Sequence, residues 1–309
     1  MKLSRVRQIV EELSSLSGRL AEVQRTIHEQ KILTAKLHIN QIKNLGVIEN
    51  LQDAEFRVFS QFGDDGIIQY LINNIEVTDR SFIEVGVEDY KESNTRFLLV
   101  NNNWKGLVID SSSSYINYIR SDSIYWQHEL TAVQEFITAE NINATITANG
   151  FAGELGLLSI DIDGNDYWVW RALDAVRPDM VVSEYNSVLG NTRAVTVPYD
   201  PEFNRTRAHY SNLYFGCSLR ALDLLAREKG YTFVGSNAAG NNAYFVRLDR
   251  LGNLKPVDVE IGYVESRFRE SRDEQGRLTH LSSADRRRAI GELPVLDLET
   301  NQLIKIRDI

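Results

Sequence analysis

The sequence has few of the residues that mark secreted or membrane-spanning proteins. Only one of its 309 residues is a cysteine, Cys217, so an internal disulfide and a C-x-x-C metal motif are both excluded. This cysteine usage fits a reducing compartment, and we expect a cytoplasmic protein. No run of about 18 apolar residues occurs, so no transmembrane helix is expected. The N-terminal segment lacks the continuous apolar stretch of a signal peptide.

Positive charge is also scarce. The chain has 34 lysines and arginines against 43 aspartates and glutamates, a formal net charge of -9 at pH 7. An acidic surface repels nucleic acid phosphates and anionic membranes, so neither is expected as a partner. The 43% of hydrophobic residues is enough for a sizeable core that needs no disulfide or structural metal.

Residues 1–45 are predicted to form a coiled-coil oligomerisation helix. Apolar residues recur there at alternating spacings of three and four, the pattern of a heptad seam: Val6, Ile9, Leu13, Leu16, Leu20, Val23 and Ile27. Beyond Ile27 the same register becomes polar, and Ile32, Ile39 and Ile42 indicate a shifted stripe. A helix of about 42 residues extends roughly 60 Å and cannot by itself bury the apolar side chains along one of its faces. We therefore expect a homo-oligomer; the alternative is an amphipathic helix folded back on its own domain.

Residues 50–250 alternate between strand and helix patterns. Strands are expected at residues 81–85, 106–109, 124–128, 156–160 and 179–183, with helices at 131–148, 167–173 and 218–229. This alternation predicts an α/β fold with a Rossmann-like, mostly parallel sheet covered by helices on both faces. Strands at 231–234 and 243–248 predict an antiparallel hairpin that closes the sheet. Residues 251–309 are expected to form a C-terminal extension with a small hairpin.

The end of the first strand carries the first chemical signal. Ligands of open α/β sheets bind beyond the carboxyl ends of the strands, and here the strand ends in Glu84 and Gly86. A dinucleotide fingerprint would continue with glycines where Glu88 and Lys91 stand. Glu84, Glu88, Asp89 and Glu92 instead give the loop a negative charge. That charge repels a diphosphate and suits a cationic ligand such as S-adenosylmethionine; the alternative is an ordinary strand-to-loop turn.

The second strand ends in Asp110 and Ser111. Asp110 follows Gly86 by 24 residues, a spacing at which an acidic residue hydrogen-bonds ribose hydroxyls. Alternatively, either residue caps the next helix. The predicted cofactor-binding residues are Glu84, Gly86, Asn94, Asp110, Ser111 and Asp161.

Two further strand ends place acidic residues together. Asp161 and Asp163 follow one strand and Glu184 ends the next, and neighbouring parallel strands end at the same edge of a sheet. These three carboxylates are candidate ligands for Mg²⁺, which prefers hard oxygen donors. Alternatively, one of them holds the cofactor's ammonium, or Asp163 acts as a general base. Asp166 is expected to cap the following helix.

A long polar loop over residues 195–212 is expected to contact the acceptor. Arg205 and Arg207 are candidates to hold a phosphate or carboxylate. His209 is a second candidate base, because imidazole titrates near neutral pH; an exposed or structural histidine is the alternative.

These segments, in this order, resemble the class I S-adenosylmethionine-dependent methyltransferases and, within them, the FkbM-type group. The resemblance covers roughly residues 55–250 and uses residues 60–66, 82–86, 106–110, 138–143 and 158–166. Asp163 stands in the acidic position of the group's Lys-Ile-Asp-Val-Glu-Gly type pattern. The first loop departs from the class because it lacks further glycines.

The resemblance implies an S-adenosylmethionine-dependent O-methyltransferase. We expect a sugar-containing or phosphorylated acceptor, a glycan or natural-product hydroxyl, with Mg²⁺ as an optional cofactor. Two alternatives remain open: a non-catalytic scaffold with a degenerate methyltransferase fold, and a Rossmann-type nucleotide-sugar enzyme.

Overall fold

The computed structural model describes residues 2–309, with side chains for all of them except residues 2–11 and Ala21. The helices are α1 Lys2–Asn44, α2 Asp64–Asn74, α3 Arg96–Asn102, α4 Ser113–Ser121, α5 Ser123–Gln127, α6 Ile142–Ala148, α7 Asp166–Ala172, α8 Arg205–Ala208, α9 Leu219–Glu228, α10 Val259–Gly262 and α11 Ser283–Ala289. The strands are β1 Ser81–Val85, β2 Lys105–Asp110, β3 Leu130–Gln134, β4 Gly153–Ile160, β5 Val176–Glu184, β6 Val195–Thr196, β7 Tyr231–Ser236, β8 Asn242–Arg247, β9 Pro294–Asp297 and β10 Gln302–Lys305.

A seven-stranded sheet forms the centre of the molecule, in the order β3-β2-β1-β4-β5-β8-β7. Strands β1 to β5 are parallel, whereas β8 runs antiparallel to β5 and pairs with β7 as a hairpin. The expected Rossmann-like α/β fold and its antiparallel close are therefore confirmed. Because the five parallel strands end at one edge, the loops that carry the candidate residues meet there.

Both faces of this sheet are buried, as the alternation within the strands requires. In β1, Ile83 and Val85 belong to the core on one face, and Phe82 belongs to the core on the other. Leu107 and Val108 of β2 are divided between the same two cores. This packing fixes which side chains of the strands reach the carboxyl edge.

The segment between β2 and β4 differs from the expectation. The strand predicted at residues 124–128 is wrong: residues 124–127 lie in helix α5, because the Asp122 side chain accepts a hydrogen bond from the Ile124 amide and starts a helical turn. Trp126, within the predicted strand, is 78% exposed. The real edge strand is β3, where the helix over residues 131–148 was expected to begin. The helix itself is limited to α6.

Helix α1 is one continuous helix, as expected, but its two parts have different surroundings. Near its end, Ala35, Ile39 and Ile42 are buried against the body of the protein. The seam side chains upstream are 53–62% exposed: Leu13, Leu16, Leu20, Val23 and Ile27. The side chains of Val6 and Ile9 lie outside the described residues. The shifted stripe thus packs on the chain's own domain, whereas the seam from Leu13 to Val23 stays exposed and Ile27 borders a groove shared with Phe56 and Val58.

The C-terminal residues pack onto the same body. The expected small hairpin is β9–β10, and β9 also pairs with β6 to make a three-stranded sheet. Val295 and Ile306 are buried in a separate small core with Val195. Across residues 2–309, no helix combines the length and apolar character needed to cross a membrane.

Candidate functional site

A cavity of about 750 Å³ opens at the carboxyl ends of β1, β2, β4 and β5. Its size lies within the range of small-molecule and cofactor sites, about 300–1,000 Å³. Every residue predicted to bind the cofactor lines it: Glu84, Gly86, Asn94, Asp110, Ser111 and Asp161. The fold therefore brings the cofactor candidates to one place, as the parallel sheet requires.

Gly86 allows the ends of β1 and β4 to lie close together. Its φ is +84°, and a Cβ atom placed there would lie 1.6 Å from the backbone oxygen of Asp161. Its amide donates to the Ile109 carbonyl of β2 at 2.9 Å. Only glycine fits both the backbone angle and the contact. This one glycine fixes the floor of the cavity without the further glycines of a dinucleotide loop.

Glu84 is buried at the edge of the cavity, and the protein itself uses all of its hydrogen-bonding capacity. Its carboxylate accepts hydrogen bonds from the hydroxyls of Ser93 and Thr95 and from the amides of Asn94 and Thr95. Burial raises the pKa of Glu84, and these hydrogen bonds oppose the rise. The Asn94 side chain donates to the Ser159 hydroxyl at 3.1 Å. Glu84 therefore shapes the loop that presents Asn94 to the cavity.

Asp110 joins the loops that follow β1 and β2. Its two carboxylate oxygens accept the amide of Glu88 at 2.9 Å and the amide of Ser112 at 2.8 Å. Helix α4 is capped by Ser112, which accepts from the Tyr115 amide, rather than by Asp110 or Ser111. Each carboxylate oxygen can accept a second hydrogen bond. Asp110 can therefore still take ribose hydroxyls from the cavity side.

Three acidic residues at the ends of β4 and β5 approach each other closely. One carboxylate oxygen from each of Asp161, Asp166 and Glu184 lies within 4.8 Å of the others. Burial, followed by the charges of the neighbouring carboxylates, raises the pKa of Asp161 and Glu184 well above the ordinary value. Such an arrangement is costly when all members are ionised, unless a cation is near.

Asp166 takes a different position from the expected helix cap. The N-cap of α7 is Asn165, and Asp166 is the first residue of the helix. Its carboxylate accepts the amides of Ile162 at 2.9 Å and Gly164 at 3.0 Å, so it holds the preceding turn closed. Burial raises its pKa to about 6. That closed turn carries the Asp166 side chain back towards Asp161.

Asp163 lines the same cavity but lies outside the close acidic group of the described residues. It adopts a left-handed backbone at φ +55° and its side chain is 57% exposed. It forms an ion pair with Arg205, whose Nε donates to the Asn212 carbonyl at 2.8 Å. The Arg205 guanidinium also lies 3.9 Å from the centre of the Phe215 ring. Arg205 is therefore committed to protein groups.

The cavity has a strong negative charge. Nine of the described lining residues are acidic and one, Arg205, is basic. Burial disfavours the charged guanidinium, but the carboxylates of Asp163 and Glu184 outweigh burial and raise the Arg205 pKa. Burial, with Asp110 and other nearby carboxylates, raises the pKa of Glu88. A cavity of this charge favours a cationic ligand over a diphosphate.

His209 and Arg207 are not among the residues that line the cavity. His209 is half-buried, its Nδ1 lies 2.7 Å from the Ser211 hydroxyl, and burial lowers its pKa. Arg207 is exposed on α8. These two loop candidates therefore do not line the cavity, although Arg205 of the same loop does.

Several lining residues were missed by the sequence reasoning. Phe62 precedes α2, and Phe268 lies in the C-terminal extension, yet their rings stack in parallel with centroids 5.7 Å apart at the cavity. Glu270 and Phe203 also line the cavity. No strand-end pattern marks these positions, because long-range packing brings them in. The extension therefore contributes to the site.

Comparison with known proteins gives matches among solved structures only. No family model matches the sequence, and no curated protein matches it. A methyltransferase that uses S-adenosylmethionine, from Clostridium acetobutylicum, aligns at 9% identity over 60% of this chain and 90% of that one, with a TM-score of 0.39. An O-methyltransferase from Bacillus cereus, solved in complex with SAH, aligns at 13% identity over 70% of this chain and 89% of that one, with a TM-score of 0.36. A SAM-dependent methyltransferase from Aquifex aeolicus aligns at 10% identity over 67% of this chain and 96% of that one, with a TM-score of 0.35. The fold assignment comes from the strand order and directions given above.

Proposed function

We propose that this chain is an S-adenosylmethionine-dependent O-methyltransferase of the FkbM-type group. The observation that carries the proposal is the acidic cavity at the carboxyl edge of the parallel sheet, with Asp110 at the end of β2. S-Adenosylmethionine carries a sulfonium and an ammonium, and supplies a methyl group on the positively charged sulfur. A nucleotide-sugar or nicotinamide ligand would instead bring a diphosphate among nine acidic residues.

The residues present fit this cofactor. Asp110 and Ser111 would hold the ribose, since Asp110 retains acceptor capacity beside the loop after β1. Gly86 would hold the ends of β1 and β4 close together at the edge where the cofactor lies. Glu84 would act through Asn94 by fixing the loop that carries it. Asp161 would supply negative charge at the same edge.

For the acceptor, we propose a hydroxyl of an uncharged sugar-containing molecule. Of the two acceptor types expected from the sequence, the phosphorylated one is disfavoured because Arg205 is already paired with Asp163. Aromatic rings and carboxylates together suit a polyhydroxylated ligand, and Phe62, Phe268 and Glu270 lie together on the cavity wall. Asp163 is the candidate base that removes the hydroxyl proton, because it lines the cavity and His209 does not.

The test is formation of S-adenosylhomocysteine with matched pairs of neutral glycosides and their phosphorylated forms. We expect turnover with a neutral member and little with its phosphorylated counterpart. With the working acceptor, Asp163→Asn should lower kcat by roughly 10²–10⁴-fold, the usual contribution of a general base. Asparagine tolerates the left-handed backbone at this position, so folding should be retained. Turnover with phosphorylated members alone would overturn the acceptor assignment.

We also propose that α1 joins copies of this chain into a homo-oligomer. Five large apolar side chains of its described heptad seam remain exposed: Leu13, Leu16, Leu20, Val23 and Ile27. Their alternating spacing is the one at which two such helices pack with knobs into holes. The role proposed for the helix is assembly, since its seam lies upstream of the part that packs on the body.

A further inference from the structure

We propose that Asp161, Asp166 and Glu184 form a binding site for one hard divalent cation, such as Mg²⁺, Mn²⁺ or Ca²⁺. Asp161 and Glu184 line the acidic cavity at the ends of β4 and β5, and Asp166 begins α7 close to both. The ligand set of this site differs from the trio expected from the sequence, because Asp166 takes the place of Asp163. It goes beyond the proposed methyl transfer, and its binding can be measured without that cofactor.

The geometry suits such a cation. The three donor oxygens lie within 4.8 Å of one another. Oxygens on opposite sides of Mg²⁺ are about 4.2 Å apart, and those around Ca²⁺ reach about 5 Å, from bond lengths of about 2.1 and 2.3–2.6 Å. Only small side-chain movements are therefore needed to close the three carboxylates around one ion. Oxygen donors alone favour these metals over Zn²⁺.

Glu184 gives the independent sign that a ligand is needed. It is only 8% exposed, and its Oε2 is buried with no hydrogen-bond partner among the described residues. A buried carboxylate oxygen without a partner is costly, because water no longer solvates it. The Asp161 side chain is half-buried and lines the same cavity, where it can reach a bound ion. Glu184 therefore has coordination capacity that the protein does not use.

The only basic side chain that lines the cavity in the described structure acts on the acidic group from a distance and makes no ion pair with it. Arg205 pairs with Asp163, donates to the Asn212 carbonyl and packs on Phe215. No ion pair joins it to Asp161, Asp166 or Glu184 within the described residues. Asp166 is held in place by the amides of Ile162 and Gly164, so one ligand is fixed before any ion arrives.

The experiment uses the full-length protein after treatment with a chelator. Mn²⁺ is titrated and followed by electron paramagnetic resonance, and melting temperatures are recorded with Mg²⁺, Mn²⁺ or Ca²⁺. We expect one Mn²⁺ per chain and a melting temperature that rises with cation concentration, since a ligand that binds only the folded state stabilises it. Glu184→Gln should weaken Mn²⁺ binding at least tenfold and remove the shift. The variant should fold without metal, because Glu184 Oε2 makes no hydrogen bond that is lost.

Glu135→Gln is the matched control, because Glu135 lines the same cavity outside the acidic trio. It removes the same charge and should bind Mn²⁺ as the wild type does. If Glu184→Gln fails to fold, Asp161→Asn serves in its place. Absence of bound Mn²⁺, or equal binding by wild type and Glu184→Gln, overturns the proposal.

A separate titration with S-adenosylmethionine, in metal-free buffer, distinguishes this site from the proposed function. If S-adenosylmethionine binds in metal-free buffer and the Mn²⁺ titration shows no bound ion, the cation site is overturned and the acidic residues are left to bind the cofactor's ammonium. Mn²⁺ bound with no cofactor binding would overturn the proposed function and keep the cation site.

Discussion

The position where Gly86 would carry a side chain is occupied by the backbone oxygen of Asp161. A Cβ atom at residue 86 would lie 1.6 Å from that oxygen, and the φ of +84° is one that L-amino acids rarely adopt. The contact joins β1 to β4 at the edge where the cavity opens. One residue thus sets the distance between two of the strand ends that form the site.

Gly86→Ala should therefore damage both stability and cofactor binding. The backbone angle alone costs about 1–2 kcal/mol, and the contact with Asp161 adds to that cost. Gly150→Ala is the control, because Gly150 has a φ of +83° and nothing within 4 Å of its Cβ position. Denaturant unfolding of both variants measures the difference. Equal losses of stability in the two would contradict the importance of the close approach.

Asp110→Ala should weaken S-adenosylmethionine binding. Loss of hydrogen bonds from a charged acceptor to the ribose costs about 1.5–3 kcal/mol, which corresponds to roughly 10- to 150-fold in Kd. The variant also loses acceptors for the amides of Glu88 and Ser112, so its unfolding is measured in parallel. Asp110→Asn keeps one acceptor oxygen and should lose less affinity. Unchanged affinity in Asp110→Ala would remove this residue from the cofactor site.

The pH dependence of stability should report on Asp65. One carboxylate oxygen accepts the amides of Val58, Phe59 and Ser60, each at 2.8 Å, and so fixes the segment that leads to Phe62 at the cavity. Burial raises the pKa of Asp65 from the ordinary 3.8 to about 6, against the effect of these hydrogen bonds. The folded protein therefore binds a proton that the unfolded chain does not between those values, and lowering the pH through this window increases the contribution of this group to stability.

Asp65→Asn should reduce that dependence, while Asp166, whose pKa is also raised to about 6, continues to contribute. Asparagine offers one oxygen to the same three amides but carries no charge, so the segment can stay in place while the titration disappears. The free energy of unfolding is measured between pH 4 and 7 for both proteins. A slope in the variant equal to that of the wild type would show that other groups cause the dependence.

Helix α1 should set the oligomeric state. Leu16→Glu combined with Leu20→Glu places charges in the exposed seam and should yield a smaller particle in light scattering. Leu33→Glu is the control, because Leu33 is 55% exposed but lies off the heptad register. Point substitutions are cleaner than deletion of residues 1–45, which would also remove the buried Ala35, Ile39 and Ile42. An unchanged mass in the double variant would refute assembly through the seam.

The strand ends were predictable because their chemistry is local. A buried apolar run followed by Glu84 and Gly86, or by Asp110, marks the carboxyl edge in the sequence itself. The edge strand β3 was missed because its alternation of buried and partly exposed residues is also compatible with a helix. The apolar residues Ile124 and Trp126 lie close together in the sequence and therefore suggested a strand in the wrong place. The parallel arrangement of β1, β2, β4 and β5 could thus be read without the structure.

The details of the acidic group could not be read in this way. Asp163 and Asp166 are three residues apart, and only the folded turn decides that Asp163 pairs with Arg205 while Asp166 returns to Asp161. Asp166 follows Gly164 and Asn165, and an aspartate at such a position can accept the amides of the preceding turn as well as cap a helix. Phe268 reaches the cavity through long-range packing that no periodicity encodes.

Isothermal titration calorimetry with three ligands tests the central claim most directly. S-Adenosylmethionine, NAD⁺ and a nucleoside diphosphate sugar are titrated separately into the full-length protein, in buffer with and without Mg²⁺. The acidic cavity beside Gly86 and Asp110 predicts one S-adenosylmethionine bound per chain and no binding of either diphosphate ligand. Binding of NAD⁺ or the sugar nucleotide, with none of S-adenosylmethionine in either buffer, would contradict the account.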